Sequence, residues 1–221
     1  MSGRAAMRRH DPYRLDVKCT ADFALLWLFA RLERLERDDP RLTIDVRPAA
    51  DDAEDVNGMS DVELRFVFAK ERPFVTSALR SAEFARTQVI PVASREYLSE
   101  RWIVRHPLDL LAHKLLHEPT HPWESWFVEH GVNDELDLRG PRLWQCPLTV
   151  NAARHGLGIA LVNRLMVADD LDAGTLVEVG AGLRSFMPKS NGHWHFICRA
   201  DRWESHVIAE FRRRLALATA Q

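Results

Sequence analysis

Several groups of residues in this sequence have types and spacings that chemistry uses. His117-Glu118-Pro119-Thr120-His121 is a literal HExxH. In zinc proteases that string sets two histidines on one helix face, with the glutamate as base. Such chemistry needs an unbroken helix. Pro119 lies inside the string and Pro122 directly after it, and an interior proline removes a helical hydrogen bond at a cost of about 3 kcal/mol. The expectation is a loop at a strand end, with His117 available to line a cleft. His193-x-His195 would put two imidazoles on one strand face. Alternation with Trp194, Phe196 and Cys198 makes that the solvent or sheet-cover face, with metal binding a minor option. Gly156-x-Gly158 invites a nucleotide loop, but those loops run from strand through glycine to helix. Here the glycines follow a helical stretch and precede the apolar Ile159–Val162, so Gly156 reads as a helix C-cap. No serine–histidine–acid spacing can be assigned, and Ser94 reads as a cap.

Composition narrows the classes. A chain of 221 residues with 46% hydrophobic residues can bury a substantial core. Its net charge of −2 gives no bulk attraction to nucleic acid or membrane. The one dense basic cluster, Arg212-Arg213-Arg214, lies in a helical pattern and reads as a solvated face. No apolar run reaches the length of a membrane span, and Met1–His10 lacks the apolar segment of a secretory signal. These readings place the protein in the cytoplasm, away from membranes. Cys19, Cys146 and Cys198 are widely spaced, which gives neither a disulfide framework nor a zinc ribbon. No cofactor is expected.

The elements that must position these residues begin at Leu15–Val46. Leu15 and Val17 alternate with polar residues into Cys19. Thr20, Ala21 and Asp22 then supply helix-start chemistry ahead of the apolar run Phe23–Ala30. Leu32 and Leu35 continue the stripe, Asp39-Pro40 ends the helix, and Leu42, Ile44 and Val46 alternate as a second strand. Strand, helix and strand at this spacing make a βαβ unit, whose ligands sit beyond the carboxyl ends of the strands, here at Cys19–Asp22. Phe23–Ala30 is apolar round most of the helix, more than one core face needs, so the surplus face is expected to meet a second copy.

Residues 1–14 read as a frayed terminus, and 49–58 as an acidic turn. Further strands are expected at Val62–Phe68, Phe84–Val92, Lys114–His117, Ile159–Val162 and His193–Cys198, with Ser185–Gly192 a loop. Short helices are expected after Ser94 and Pro107, then at Trp123–His130, Leu148–His155 and Arg164–Leu171. Trp203–Ala218 closes the chain as an amphipathic helix with Ile208, Phe211 and Leu215 inward. Trp27 and Trp126 fit core faces, whereas Trp123 covers a cleft or the surface.

"TADFALLWLFARLERLERDDPRLTIDVRP" resembles the start of the effector-binding domain of LysR-type transcriptional regulators, in the glycine-cleavage-activator-like subgroup. Asp61-x-x-Leu-Arg65 is similar to that family's Asp-x-x-Ile-Arg strand, although Glu63 stands where a small residue is usual. "LTVNAARHGLGIALV" and "DLDAGTLV" resemble two further family segments in the right order. The resemblance implies an α/β fold of two Rossmann-like subdomains joined by two crossover strands, like a type 2 periplasmic binding protein. Residues 15–91 plus 180–221 would form one subdomain, and 92–179 the other. It also implies a non-enzymatic sensor that forms homodimers through the helix over 23–37. DNA would be met only through an N-terminal winged helix, which this sequence lacks, so these residues alone are expected to bind no operator.

In the resembling fold Cys19 and Cys146 each precede a helix that starts at the cleft, where a thiol tends toward thiolate. The plainer reading is two small buried hydrophobes. The implied ligand site lies between the subdomains: Thr20, Ala21 and Asp22 on one wall, Cys146 and Pro147 on the other, with Arg65, Phe66 and His117 at the rim. Two helix N-termini favour a small anion, and Arg65 could pair with it, so the effector expected is a carboxylate or an amino acid. Asp22 either caps its own helix or meets a cationic group of the ligand. A transport-system solute-binding protein and a small hydrolase are the alternatives. The missing signal argues against the first, and the broken HExxH is the only support for the second.

Overall fold

A computed structural model describes residues 13–38, 41–49, 60–72, 76–99, 103–133 and 136–219. The expected turn at 49–58 and the stop at Asp39-Pro40 fall almost wholly outside these residues, as does most of the expected frayed terminus. In chain order come β1 (Arg14–Thr20), α1 (Ala21–Phe23), a π-helical segment (Ala24–Leu28) and α2 (Phe29–Asp38), then β2 (Thr43–Ala49), β3 (Val62–Phe68) and β4 (Leu79–Ser94). α3 (Arg95–Ser99), β5 (Leu115–Leu116), α4 (Trp123–Glu129), α5 (Cys146–Arg154) and β6 (Ile159–Asn163) follow. α6 (Ala168–Ala173), β7 (Leu176–Glu178), β8 (Ser190–Arg199) and α7 (His206–Thr219) complete the chain.

The strands form one sheet in the order β2-β1-β3-β8-β4-β6-β5, with β7 also on β4. β1 runs parallel to β2 and β3, as a βαβ unit requires. β8 returns antiparallel between β3 and β4. β4 links the two halves of the sheet. Its residues Leu79–Gln88 pair with β8, and from Val89 onward its partners are β6 and then β7. At that change of partner the Thr87 hydroxyl donates to the Asn163 side-chain carbonyl, both residues being buried.

Period-two burial explains the first core. Leu15, Val17 and Cys19 of β1, Val62 and Leu64 of β3, and Trp194, Phe196 and Cys198 of β8 share one sheet face. Phe23, Trp27 and Leu28 pack on that face, with Ile208, Phe211 and Leu215 of α7. In the other half β6 is buried on both sides. Ile159 and Leu161 join the cluster of Trp123, Trp126 and Phe127, whereas Ala160 and Val162 join Cys146, Val150 and Ala153.

Several expectations need correction. β4 starts at Leu79, five residues before the expected Phe84. Its first stretch carries Arg80, Ser81 and Glu83, and register shifts at Glu83/Ala85 and Thr87/Gln88 break the alternation that marks a strand. In β3 the alternation reverses, so that Val67 is buried and Phe68 exposed. β8 starts at Ser190, inside the expected loop, and β1 starts at Arg14, inside the expected frayed stretch. The closing helix begins at His206, leaving Trp203 in the preceding turn. Trp123 covers neither cleft nor surface. It is 0% exposed, and its indole donates to the Leu116 carbonyl at 3.0 Å.

The first helix is the other departure. The Phe29 amide bonds back to the Ala24 carbonyl, five residues away, which widens one turn. The Arg31 guanidinium donates to the Trp27 carbonyl at 2.8 Å and lies 4.4 Å from the Trp27 ring centroid. It also reaches Asp169 in α6 with paired bonds of 2.9 and 3.1 Å. Leu26, in the π segment, packs against cores of both halves.

Candidate ligand cleft

One wall forms where β1 ends. Thr20 has extended backbone and its hydroxyl accepts from the Phe23 amide at 3.3 Å, so within the helix start read over Thr20–Asp22 it is Thr20 that stands as the N-cap. Ala21 is exposed and Asp22 half-buried in the first turn. Cys19, one residue earlier, is buried, and that burial pushes its thiol up to about 12. The thiolate reading therefore gives way to the small buried hydrophobe.

The opposite wall is the start of α5. Gln145 is the N-cap residue but no side chain caps this end, and Pro147 stands in the first turn, where its missing N–H costs nothing. Cys146 is buried and its thiol is raised, first by burial and then by the negative charges of Glu118 and Asp22. Asp22 on the first helix thus lies within electrostatic reach of Cys146 on α5. His117 joins them through the backbone. Its amide donates to the Pro141 carbonyl at 3.0 Å, and its carbonyl accepts from the Leu143 amide at 2.9 Å. The strip Pro141–Leu143 then leads straight into α5. His117 is only 6% exposed, its Nε2 is buried without a hydrogen-bond partner, and burial and then the nearby Arg142 hold its imidazole below the usual range.

HExxH is not helical here. His117 makes a β-bridge to Arg142, and Glu118 turns back to accept the amides of Thr120 (3.0 Å) and His121 (2.8 Å). Glu118 is 5% exposed, and its burial raises its carboxyl above the ordinary range.

Arg65 and Phe66 sit differently. Arg65 is engaged by Glu63 on its own strand at 2.5–2.7 Å and stands opposite His195. That face of the sheet points away from the apolar core. Phe66 is on the core side, 5.4 Å from the Trp194 ring. On the polar face His193 meets Glu83 at 3.3 Å and His195 meets the Ser81 hydroxyl at 2.9 Å. Among the described residues no group of three or more histidines, cysteines and carboxylates is placed to hold a metal ion.

Sequence reasoning passed over Trp144, which lies between the Pro141–Leu143 strip and Cys146. It is 74% exposed and has a φ of 60°. A tryptophan in that conformation leaves no sequence signal, because left-handed backbone announces itself through glycine, asparagine or aspartate. The Arg31–Asp169 tie was equally silent.

The family model for the LysR substrate binding domain matches residues 8–219. This chain belongs to that family. The LysR domain is similar to the glycine cleavage system transcriptional activator of Escherichia coli (strain K12), with 28% identity over 209 residues. That match covers 94% of the chain and 66% of the relative, so the chain spans just under two-thirds of the relative's length. A homologue of that activator from Haemophilus influenzae is 25% identical over 205 residues, covering 91% of the chain and 64% of the relative. Among solved structures, the effector domain of the regulator AmpR of Pseudomonas aeruginosa superposes with a TM-score of 0.69 at 21% identity. It covers 94% of this chain and 96% of that one. The AmpR effector binding domain of Citrobacter freundii gives a TM-score of 0.71 at 17% identity, covering 94% and 98%. The LysR domain therefore has the type 2 periplasmic-binding-protein-like α/β fold of these effector domains.

Proposed function

We propose that this domain is the small-molecule sensor of a LysR-type transcriptional regulator and acts by binding, without catalysis. The observation that carries the reading is a helix start on each of the two halves that β4 links, Thr20–Asp22 on one and Cys146–Pro147 on the other, with Asp22 within electrostatic reach of Cys146. Helix N-termini present free amides and a positive field, which suit a small anion. The effector is a carboxylate or an amino acid. Residues 15–91 with 180–221 form one lobe and 92–179 the other, with the change of partner near Val89 of β4 as the boundary between them. His117 lines the rim on the second lobe and Phe66 on the first. Arg65 joins only by exchanging Glu63 for the ligand's carboxylate.

The sensor works in the cytoplasm as a homodimer. Leu25 and Phe29, one helical turn apart, are 57% and 48% exposed on the first helix and supply the surface for a second copy. DNA is contacted by a winged helix of the regulator and not by these residues, so they alone give no sequence-specific mobility shift. Among the described residues no helix is long and apolar enough to cross a membrane.

A thermal-shift panel of carboxylic acids and amino acids tests the site. At least one compound is expected to raise the melting temperature of the wild type and to lose its effect on Thr20→Val. If nothing in the panel stabilises the fold, or if Thr20→Val binds as before, the sensor site lies elsewhere.

A further inference from the structure

We propose that the effector carries an aromatic ring, and that Phe68 and Phe66, at the carboxyl end of β3, receive it. The inference rests on the sensor reading above and narrows that effector to an aromatic acid.

The strand order places these two rings. β1 and β3 are parallel neighbours, joined at Val17–Val62 and Lys18–Glu63. The chain leaves β1 for β2 on one side and leaves β3 for β4 on the other, so the order of the sheet reverses between them. Ligands of open α/β sheets sit outside the carboxyl ends of the strands at such a reversal. There β1 ends at Thr20, the cap of the first helix, while β3 runs on to Phe68.

The packing of the rings fits that position. Phe66 is half-buried and lies 5.4 Å from Trp194, which in turn lies 4.0 Å from Phe23 at the helix start. Its ring leans over Gly192, where an added Cβ would come within 2.6 Å of the ring tip. Gly192 is the partner of Phe68 and Trp194 the partner of Phe66, so the lean is toward the carboxyl end of β3. Phe68 stands edge-on to Phe66, with ring centroids 5.1 Å apart and planes at 86°, and is 42% exposed. A row of aromatic rings therefore climbs from the core at Phe23 through Trp194 and Phe66 and ends on an open phenyl at the reversal. Offset and edge-to-face pairing favours a further ring at the end of such a row over an aliphatic group of the same bulk. The neighbouring helix start supplies the positive field for the carboxylate, so one lobe meets both ends of a short aromatic acid.

The test uses ring-matched pairs: benzoate, phenylacetate and phenylalanine beside cyclohexanecarboxylate, cyclohexylacetate and cyclohexylalanine. Saturation keeps the bulk of the ring and removes its aromatic faces. Binding is read by thermal shift and by calorimetry. In at least one pair the aromatic member is expected to bind, and its saturated counterpart to bind about two- to tenfold more weakly. Phe68→Ala abolishes that preference, Phe68→Leu abolishes it while keeping an apolar surface, and Phe68→Tyr retains it. Because Phe68 is exposed, all three variants are expected to melt close to the wild type. Thr20→Val weakens both members of a pair alike. Equal binding within every pair, binding confined to non-aromatic acids, or a preference that survives Phe68→Ala overturns the proposal and leaves the sensor reading intact. If no acid of either kind binds, both fall.

Discussion

Cys19 and Cys146 show how a residue's surroundings overrule its position. A thiol at a helix start gains from the helix field, which lowers its pKa. Both cysteines are nevertheless buried among apolar neighbours, and desolvation raises both, Cys19 to about 12. Neither is expected to react with a thiol reagent in the folded protein at neutral pH, and both should react once urea unfolds it. Rapid labelling of native Cys146 would show that the cleft wall is open where it is described as closed. The helix start over Thr20–Asp22 was legible because it needs only a hydroxyl or a carboxylate ahead of an apolar run, whereas the choice of Thr20 as its cap was not. Trp144 and the buried Nε2 of His117 were not, since backbone strain and a missing partner are properties of the folded neighbourhood.

Among the elements, the ends were easier to read than the interiors. Gly156 caps α5 as expected: φ is 68°, its amide bonds to Ala153, and the Leu157 amide bonds to Ala152, both at 3.0 Å. Gly156→Ala would force a Cβ into left-handed backbone, 3.4 Å from the Ser94 hydroxyl. The expected loss is about 1 kcal/mol of unfolding free energy in urea. A neutral result would mean that α5 can end another way. β4 was half hidden because bulges and charged residues erase its alternation, although it is the strand on which both halves depend. The first helix was read as helical, but its π turn has no local pattern in the sequence. On its outer side Leu25→Glu combined with Phe29→Glu should convert the proposed dimer to a folded monomer by light scattering. An unchanged mass would remove this helix from the interface.

For the whole molecule, titration links the cleft to stability. His117 and His195 are held below 6.5 mainly by burial, and His121 down to about 4. The unfolded chain binds more protons than the fold between those lowered values and about 6.5. Stability contributed by these neutral imidazoles is therefore present above that range and lost as pH falls through it. Glu118 and Asp16 are raised and act oppositely, favouring the fold at low pH and losing that contribution as pH rises. His117→Gln separates the two: the melting temperature should fall less between pH 6.5 and 5 in the variant than in the wild type. Equal slopes would mean that His117 is open to solvent.

The tie between Arg31 and Asp169 bears on how such a molecule would signal. The helix that presents Leu25 and Phe29 outward is gripped from behind by a residue of the opposite half, and Leu26 is wedged into both cores. A displacement of Asp169 would therefore bear on that helix directly through Arg31. The widened π turn lies between the cleft end of the helix and the grip, where it can take up a change of pitch by passing one hydrogen bond along the chain. An event at Thr20 and a displacement at Asp169 would then arrive at the same few ångströms of surface, where a neighbouring subunit could feel both as a single tilt.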